Sequence, residues 1–302
     1  MKTLITGGCG FIGSHLVRRL LDEGDHVTVI DNLHTGNKKN LPTDDNLKVV
    51  VADILDYTGY LFKDVDVVYH LAALTRPQES IHDPVLTNIV NVNGTIKVLE
   101  HCRSRKVKRI VFISTTGIYG DQREQPIAES AKPNPMCHYA VTKWAGEKYC
   151  ELYKKLYGLE YNIIRPFNVY GEGQNPLGGY AAAVPKFIDT LNRDETPFIT
   201  GDGKQSRDFI YVSDVVDLIF KAGNSKVKGE TFNAGSGTTT SINQIYERVS
   251  RIMRKKVEPD YIDPLFEPPK TWGDISKAER LLRWIPTTNL EHGLNITIRR
   301  TI

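Results

Sequence analysis

Apolar and polar positions along this chain follow two alternating rhythms. Short β-branched and apolar runs occur at Lys2 to Thr6, His26 to Ile30, Leu47 to Ala52, Val65 to Leu71, Arg109 to Ile113 and Tyr161 to Pro166. Between them lie stretches with helical spacing, such as Ile12, Leu16, Leu20 and Leu21. Strands alternating with helices predict a doubly wound parallel α/β sheet over residues 1–166. From residue 167 the rhythm breaks. Gly, Pro and Asn crowd Gly171 to Gly179, and short elements follow: a helix from Ala181 to Leu191, strands at Pro197 to Gly201, Phe209 to Val212 and Thr231 to Ala234, and helices at Val215 to Ala222 (capped by Ser213-Asp214), Ser241 to Met253 and Asp274 to Leu282, the last clear one. Pro259 to Pro269 reads as a loop. The change predicts a smaller α/β substrate-binding lobe over 167–302, with residues about 208–235 returning to the first domain.

Composition narrows the class. The 302 residues are 40% hydrophobic and 25% charged, an ordinary globular balance. A net charge of +3 without a long Lys/Arg block argues against nucleic acid, and Lys154-Lys155 and Arg254-Lys255-Lys256 read as solvated helix faces. No leader-like start or membrane-length apolar run is present, so no membrane partner and a cytoplasmic location are expected. Cys9, Cys102, Cys137 and Cys150 lie far apart without metal-ligand spacing, which predicts reduced thiols and no metal site.

The chemistry begins at Met1 to Gly13, MKTLITGGCGFIG, where a strand, a glycine turn and a helix start follow one another. Gly7, Gly10 and Gly13 are three apart. Without a Cβ the backbone turns tightly and approaches a phosphate, and the helix from Phe11 aims free N–H groups at the same point. This is a dinucleotide fingerprint with GxxGxxG spacing, and it makes the sheet a Rossmann one. Asp31 ends the second strand, placed to accept hydrogen bonds from an adenosine ribose and to repel a 2′-phosphate, which favours NAD over NADP. Asp53, ending the third, is placed to hold the adenine amino group. Ala72 and Ala73 let the backbone approach a cofactor after the fourth strand, whose His70 reads as a packed, hydrogen-bonded core residue. Ser114, Thr115 and Thr116 put hydroxyls at the carboxyl edge of the fifth strand, where ligands bind in such sheets.

Tyr139 and Lys143 then fall one turn apart on a predicted helix, sharing a face. A phenol titrates near pH ~10. An ammonium one turn away favours the phenolate, and a cationic nicotinamide would add to that. A Tyr-x-x-x-Lys pair is a common accident; its place after a hydroxyl-bearing strand end in a nucleotide-binding sheet gives it meaning.

Together these segments resemble the extended short-chain dehydrogenase/reductases that act on nucleotide sugars, and within them the UDP-hexose 4-epimerase branch. The resemblance runs nearly end to end: TGGCGFIGSHL from Thr6, VIDNL from Val29, ADILD from Ala52, HLAA from His70, NVNGT from Asn91, ISTTGIYG from Ile113, YAVTKWAGE from Tyr139, RPFNVYG from Arg165, RDFIYVSD from Arg207 and DISKAERLLRW from Asp274. It implies tightly bound NAD. The cofactor would be held by the glycine turn with Phe11 and Ile12, by Asp31, Asn32, Asp53 and Ile54, by Leu71, Ala72, Ala73 and Asn91, and by Tyr139, Lys143 and Phe167. It implies that Thr115 hydrogen-bonds the sugar O4, that Tyr139 takes the 4-hydroxyl proton, and that Lys143 binds the nicotinamide ribose and lowers the Tyr139 pKa. Hydride would pass from C4 to NAD and return to the other face of the 4-keto sugar. Thr75, Thr116, Val184, Phe187 and Thr271 would border the sugar nucleotide. Asn168 would contact its diphosphate, and Arg207 would place a cation there rather than form a surface ion pair with Asp208. A homodimer through the helices after Ala73 and around Tyr139 is implied as well.

Departures from the family pattern refine the expectation. Sugar 4,6-dehydratases carry Asp-Glu after the strand-five Thr; this chain has Thr116-Gly117, so elimination lacks its acid and base. The 4-epimerases usually carry Arg-x-Gly-Asp before the last helix; here Pro264-Leu265-Phe266-Glu267 stands there, leaving Lys270 as the nearby substitute cation. Thr271 replaces a Tyr that narrows the sugar pocket, which leaves room for N-acetylhexosamines. The competing expectations are a relative acting as a uronic-acid epimerase, decarboxylase or net reductase, and a non-catalytic nucleotide sensor. The intact Thr115, Tyr139 and Lys143 speak against the sensor.

Overall fold

The computed structural model describes residues 1–176, 182–264 and 267–302. Its centre is a seven-stranded sheet in the order β11-β6-β5-β4-β1-β2-β3, with every neighbouring pair parallel. The strands are β1 (Lys2–Thr6), β2 (His26–Asp31), β3 (Leu47–Val51), β4 (Val67–His70), β5 (Arg109–Ile113), β6 (Glu160–Pro166) and β11 (Glu230–Ala234). Successive strand residues feed opposite faces. Ile5, Val67, Tyr69, Val111 and Ile113 pack on one side with α1 (Phe11–Asp22) and α7 (Val212–Asn224). Leu4, Val68, Ile110 and Phe112 pack on the other with α4 (Gly94–Ser104) and α5 (His138–Tyr157). Two-sided burial explains why these strands read as unbroken apolar runs.

α2 (Pro77–His82) precedes α3 (Pro84–Asn88), which runs through a π turn at Ile89–Asn93 directly into α4. β7 (Asn168–Tyr170) leads out of the sheet. Beyond it α6 (Ala183–Asn192) packs on α8 (Ile242–Met253). Three small sheets complete the lobe: β8 (Phe198–Thr200) with β13 (Asp260–Ile262), β10 (Phe209–Tyr211) with β7, and β9 (Ser206–Arg207) between β12 (Thr240–Ser241) and β14 (Lys270–Thr271). α9 (Ser276–Leu282) and α10 (Leu290–Thr301) close the chain.

Several sequence expectations need correction. The chain ends on a helix, α10, after the segment taken as last; its start is capped by the Asn289 side chain accepting from the His292 N–H. The Pro259 to Pro269 segment contains β13, paired with a strand some sixty residues upstream. Asp214 does not cap α7. It is buried in the first turn and accepts from Thr287 and Thr288. Asp274 precedes α9 and accepts from the Ser276 N–H. The expected first residue of α6, Ala181, lies outside the described residues. The capping box at Ser241 and Gln244 matches the expected helix start. Among the described residues no helix is long and apolar enough to cross a membrane.

Candidate active site

The glycine turn is built by close approach. Gly7 has φ +75°, and a Cβ there would lie 2.7 Å from the Ala72 nitrogen; at Gly13 a Cβ would lie 2.2 Å from the Gly7 carbonyl oxygen. α1 therefore starts hard against β1, with Gly10 at its cap and no side chain over its first N–H groups. A cleft of about 200 Å³ opens beside this turn. Gly7, Gly10, Asp31, Asn32, Asp53, Ile54, Ala72 and Ala73, eight of the residues singled out from sequence, line it together. His34, Thr35, Leu74, Leu86 and Val90 line it too and carried no local signal, since loops and a distant helix supply them.

Asp31 is buried, and its carboxylate accepts from the Cys9 N–H at 2.9 Å and the Leu33 N–H at 2.8 Å. Asn32 donates to Asp53 at 2.8 Å. Phe11 and Ile12 turn partly into the core, as does Leu71. Burial pushes the Cys9 thiol up to about 11, leaving it unreactive near neutrality. Ser114, at the end of β5, has a buried hydroxyl without a hydrogen-bond partner. The turn, the carboxylate and this orphan hydroxyl along one sheet edge fit a dinucleotide.

Asn91 stands behind the cleft. Its amide brackets the Leu74 backbone, accepting from the N–H at 2.8 Å and donating to the carbonyl at 2.9 Å, and also donates to Thr142 on α5. Its side chain is thus committed to holding the loop after β4 against α5, and the π turn aims it there. His70 is buried between the hydroxyls of Thr6 and Thr95, at 2.6 and 3.0 Å. That is the packed role read from sequence.

α5 carries Tyr139 and Lys143 one turn apart. Its start is held by the Ser80 hydroxyl, which accepts from the Tyr139 N–H at 3.1 Å. The Tyr139 phenol lies near the Thr115 side chain, which favours the phenolate; the Thr115 hydroxyl oxygen accepts from the Gly117 N–H at 3.1 Å. Lys143, one turn on, is buried with its ammonium 4.5 Å over the Phe112 ring. The electrostatics differ from the expectation. Burial pushes the Tyr139 phenol up to about 12, against a lowering by Thr115. Burial likewise brings Lys143 down to about 8, opposed by Cys150 and Glu147. Burial outweighs every influence that lowers the phenol, the ammonium one turn on included. Thr116 donates its hydroxyl to the Pro166 carbonyl at 3.1 Å, which ties the loop after β5 to β6 rather than facing a substrate.

On the lobe side, Phe167 packs with Ile118, Tyr119 and Ile127 and is wedged between Gly235 and Gly273, where a Cβ would meet its ring at 3.1 and 2.3 Å. Asn168 donates its side-chain amide to the Asp208 carbonyl at 3.2 Å. Arg207 is buried and faces Glu267, not Asp208, at 2.6 Å. Asp208 instead accepts from Ser236, Gly237 and Gly273, joining three loops. Thr271 pairs in register with Arg207, so the two side chains share a sheet face. Lys270 reaches over the Trp272 ring, at 5.4 Å. Thr75 is exposed in the loop after β4. Val184 and Phe187 are buried in the lobe core, Phe187 edge-on to Tyr246, because α6 turns positions 184, 187, 188 and 191 inward. An open cleft of about 990 Å³ beside Glu267 is lined by Thr200, Gln205, Tyr261 and Pro264, of which sequence flagged only Pro264 and Glu267.

The arrangement gathers a phenol, a hydroxyl and an ammonium at the carboxyl edge of the sheet that carries the glycine turn, with Arg207 buried on the lobe side. Comparison with known proteins agrees. Residues 3–235 match the model of the NAD dependent epimerase/dehydratase family. The chain is 38% identical over 307 residues to a UDP-glucose 4-epimerase of Mycolicibacterium smegmatis, covering 99% of this chain and 97% of that protein. It is 33% identical to a UDP-N-acetyl-alpha-D-glucosaminuronate decarboxylase of Bacillus cytotoxicus, covering 99% and 97%. The solved structure of a UDP-N-acetylglucosamine 4-epimerase from Methanobrevibacter ruminantium superposes with a TM-score of 0.96 at 33% identity, covering 99% of this chain and 97% of that one. The chain is thus an NAD-dependent enzyme and belongs to the NAD-dependent epimerase/dehydratase family of extended short-chain dehydrogenase/reductases.

Proposed function

We propose that the protein is a nucleotide-sugar 4-epimerase that interconverts UDP-glucose and UDP-galactose and accepts N-acetylhexosamine forms. One observation carries the reading: Tyr139 lies near Thr115, which favours its phenolate, with Lys143 on the next turn, while Thr116 and Gly117 stand where elimination would need an acid and a base. NAD, when bound, supplies the hydride acceptor and a positive ring. Tyr139 takes the proton of the sugar 4-hydroxyl, and Thr115 holds that oxygen. The Lys143 charge favours the phenolate against the burial that raises it. The same phenol returns the proton after the 4-keto sugar has presented its other face, so each cycle ends where it began. Arg207 offers the diphosphate a cation. Thr271, small and beside Arg207 in register, leaves room for an N-acetyl group. Val85 and Ile89 on the α3 run and Val141, Leu152 and Leu156 on α5 are exposed apolar residues on adjoining helices, which supports a homodimer through that face.

The test is a panel of UDP-, dTDP- and GDP-sugars incubated without added cofactor, with products read by NMR. UDP-glucose should equilibrate with UDP-galactose, and the N-acetyl pair should do so as well. Turnover of UDP-glucose with none of the N-acetyl analogue overturns the roomy pocket. Carbon dioxide release from a UDP-uronic acid, without 4-epimerisation, overturns the epimerase in favour of a decarboxylase. Tyr139→Phe should lose about 10²–10⁴-fold in rate and still retain NAD.

A further inference from the structure

The face of α5 that carries Tyr139 and Lys143 continues one turn further, to Glu147. Glu147 is fully buried. Arg165, near the end of β6, grips its carboxylate with two prongs, Nε donating to Oε1 at 2.9 Å and Nη2 to Oε2 at 2.6 Å. Arg165 is itself fixed. Its Nη1 donates to the Tyr119 hydroxyl and to the Glu129 carbonyl, both at 3.0 Å. The Tyr119 hydroxyl donates to Asn233, whose amide donates to the Ile127 and Asp274 carbonyls. With Tyr119 and the Glu129 carbonyl fixing Arg165, the Glu147 carboxylate is held in place. Buried ion pairs of this kind are often replaceable by apolar residues without loss of stability, so stability alone does not account for it.

The surroundings of Lys143 give the pair a purpose. On its own helix Tyr139 stands one turn before it, and Cys150 and Glu147 act on its charge. From β4 it meets His70, which is neutral, and from β5 the Phe112 ring. The charge of Arg165, on β6, is matched by Glu147. Burial pushes the Cys150 thiol far up, so it carries no charge near neutrality. Among the described residues that act on Lys143, Glu147 is the one carboxylate.

We propose that Glu147, clamped by Arg165, is a positioning residue of the reaction: it keeps the Lys143 ammonium charged and in register with Tyr139. The inference rests on reading Tyr139 and Lys143 as the acid–base pair. Glu147→Gln keeps the size and one hydrogen bond to Arg165 but removes the charge. In holoenzyme labelled with ¹³Cε-lysine, the Lys143 signal, identified by its loss in Lys143→Met, should titrate about one pH unit or more lower in Glu147→Gln. With UDP-glucose, the alkaline limb of kcat should move down equally, costing about tenfold above the wild-type midpoint, with KM little changed. Arg165→Met leaves the carboxylate unopposed and should move the Lys143 midpoint upward. Opposite shifts show the two charges acting on the ammonium; a pair that only holds the fold together, too far off to act on it, leaves the Lys143 midpoint in place. An unchanged Lys143 midpoint in folded Glu147→Gln overturns the proposal, whatever happens with Arg165→Met. The NMR arm needs no substrate, so a protein that shows the shift but turns over no UDP-sugar overturns the substrate reading and leaves the positioning role standing.

Discussion

Thr95 donates its hydroxyl hydrogen to the Asn91 carbonyl at 2.6 Å. Its oxygen can therefore only accept from His70 Nε2, and His70 Nδ1 must accept from Thr6. This fixes one neutral tautomer. Burial first, and Lys143 second, bring the His70 pKa down to about 3 from 6.5. Between those values the unfolded chain binds a proton that the native protein refuses. Folding stability should thus fall as pH drops below about 6.5, with a slope approaching 1.4 kcal/mol per pH unit from this residue. Chemical denaturation from pH 7 to 4 checks this; His70→Gln should flatten the curve. At this scale the sequence was most legible where a residue's role is set by its own strand end, as for Asp31 and Ala72. It was least legible where a side chain's partner lies far along the chain. Nothing near Thr116 announces the Pro166 carbonyl, and nothing near Asn91 announces Leu74 and Thr142. The phenol's environment was misjudged for a related reason: adjacency on a helix says that two charges are near, but not that both are buried.

Elements with strong periodicity and two-sided burial could be read directly, which is why the parallel strands and α1 stand where expected. Short elements that depend on remote pairing could not. β13 exists because β8 lies beside it, and α10 offers a mixed polar pattern that tertiary packing, not propensity, makes helical. The strand–turn–helix unit at the start of the chain makes a sharp prediction at this scale. Gly13→Ala would put a Cβ 2.2 Å from the Gly7 oxygen, and the turn must open to admit it. The variant should lose about 1–3 kcal/mol of stability in denaturant titrations. It should also come through purification with most of its NAD lost, because the displaced backbone lines the cleft proposed to take the cofactor.

The whole molecule presents an apolar helical face to solvent, and that face carries the expectation of a second copy. Sedimentation should return twice the 34.0 kDa chain mass. Leu152→Glu combined with Val85→Glu should return one chain mass and leave the monomer's thermal unfolding within a few degrees, since both side chains lie outside the core. A monomeric wild type overturns the dimer.

The chain crosses from sheet to lobe at two places, after Pro166 in β6 and after Ala234 in β11. Those strand ends are parallel neighbours in register, and the Phe167 N–H donates to the Ala234 carbonyl at 2.9 Å. These two exits to the lobe therefore lie side by side, stitched by one backbone hydrogen bond. Phe167 packs directly beyond them, between Gly235 and Gly273, so a smaller side chain there would loosen the packing beside both exits at once.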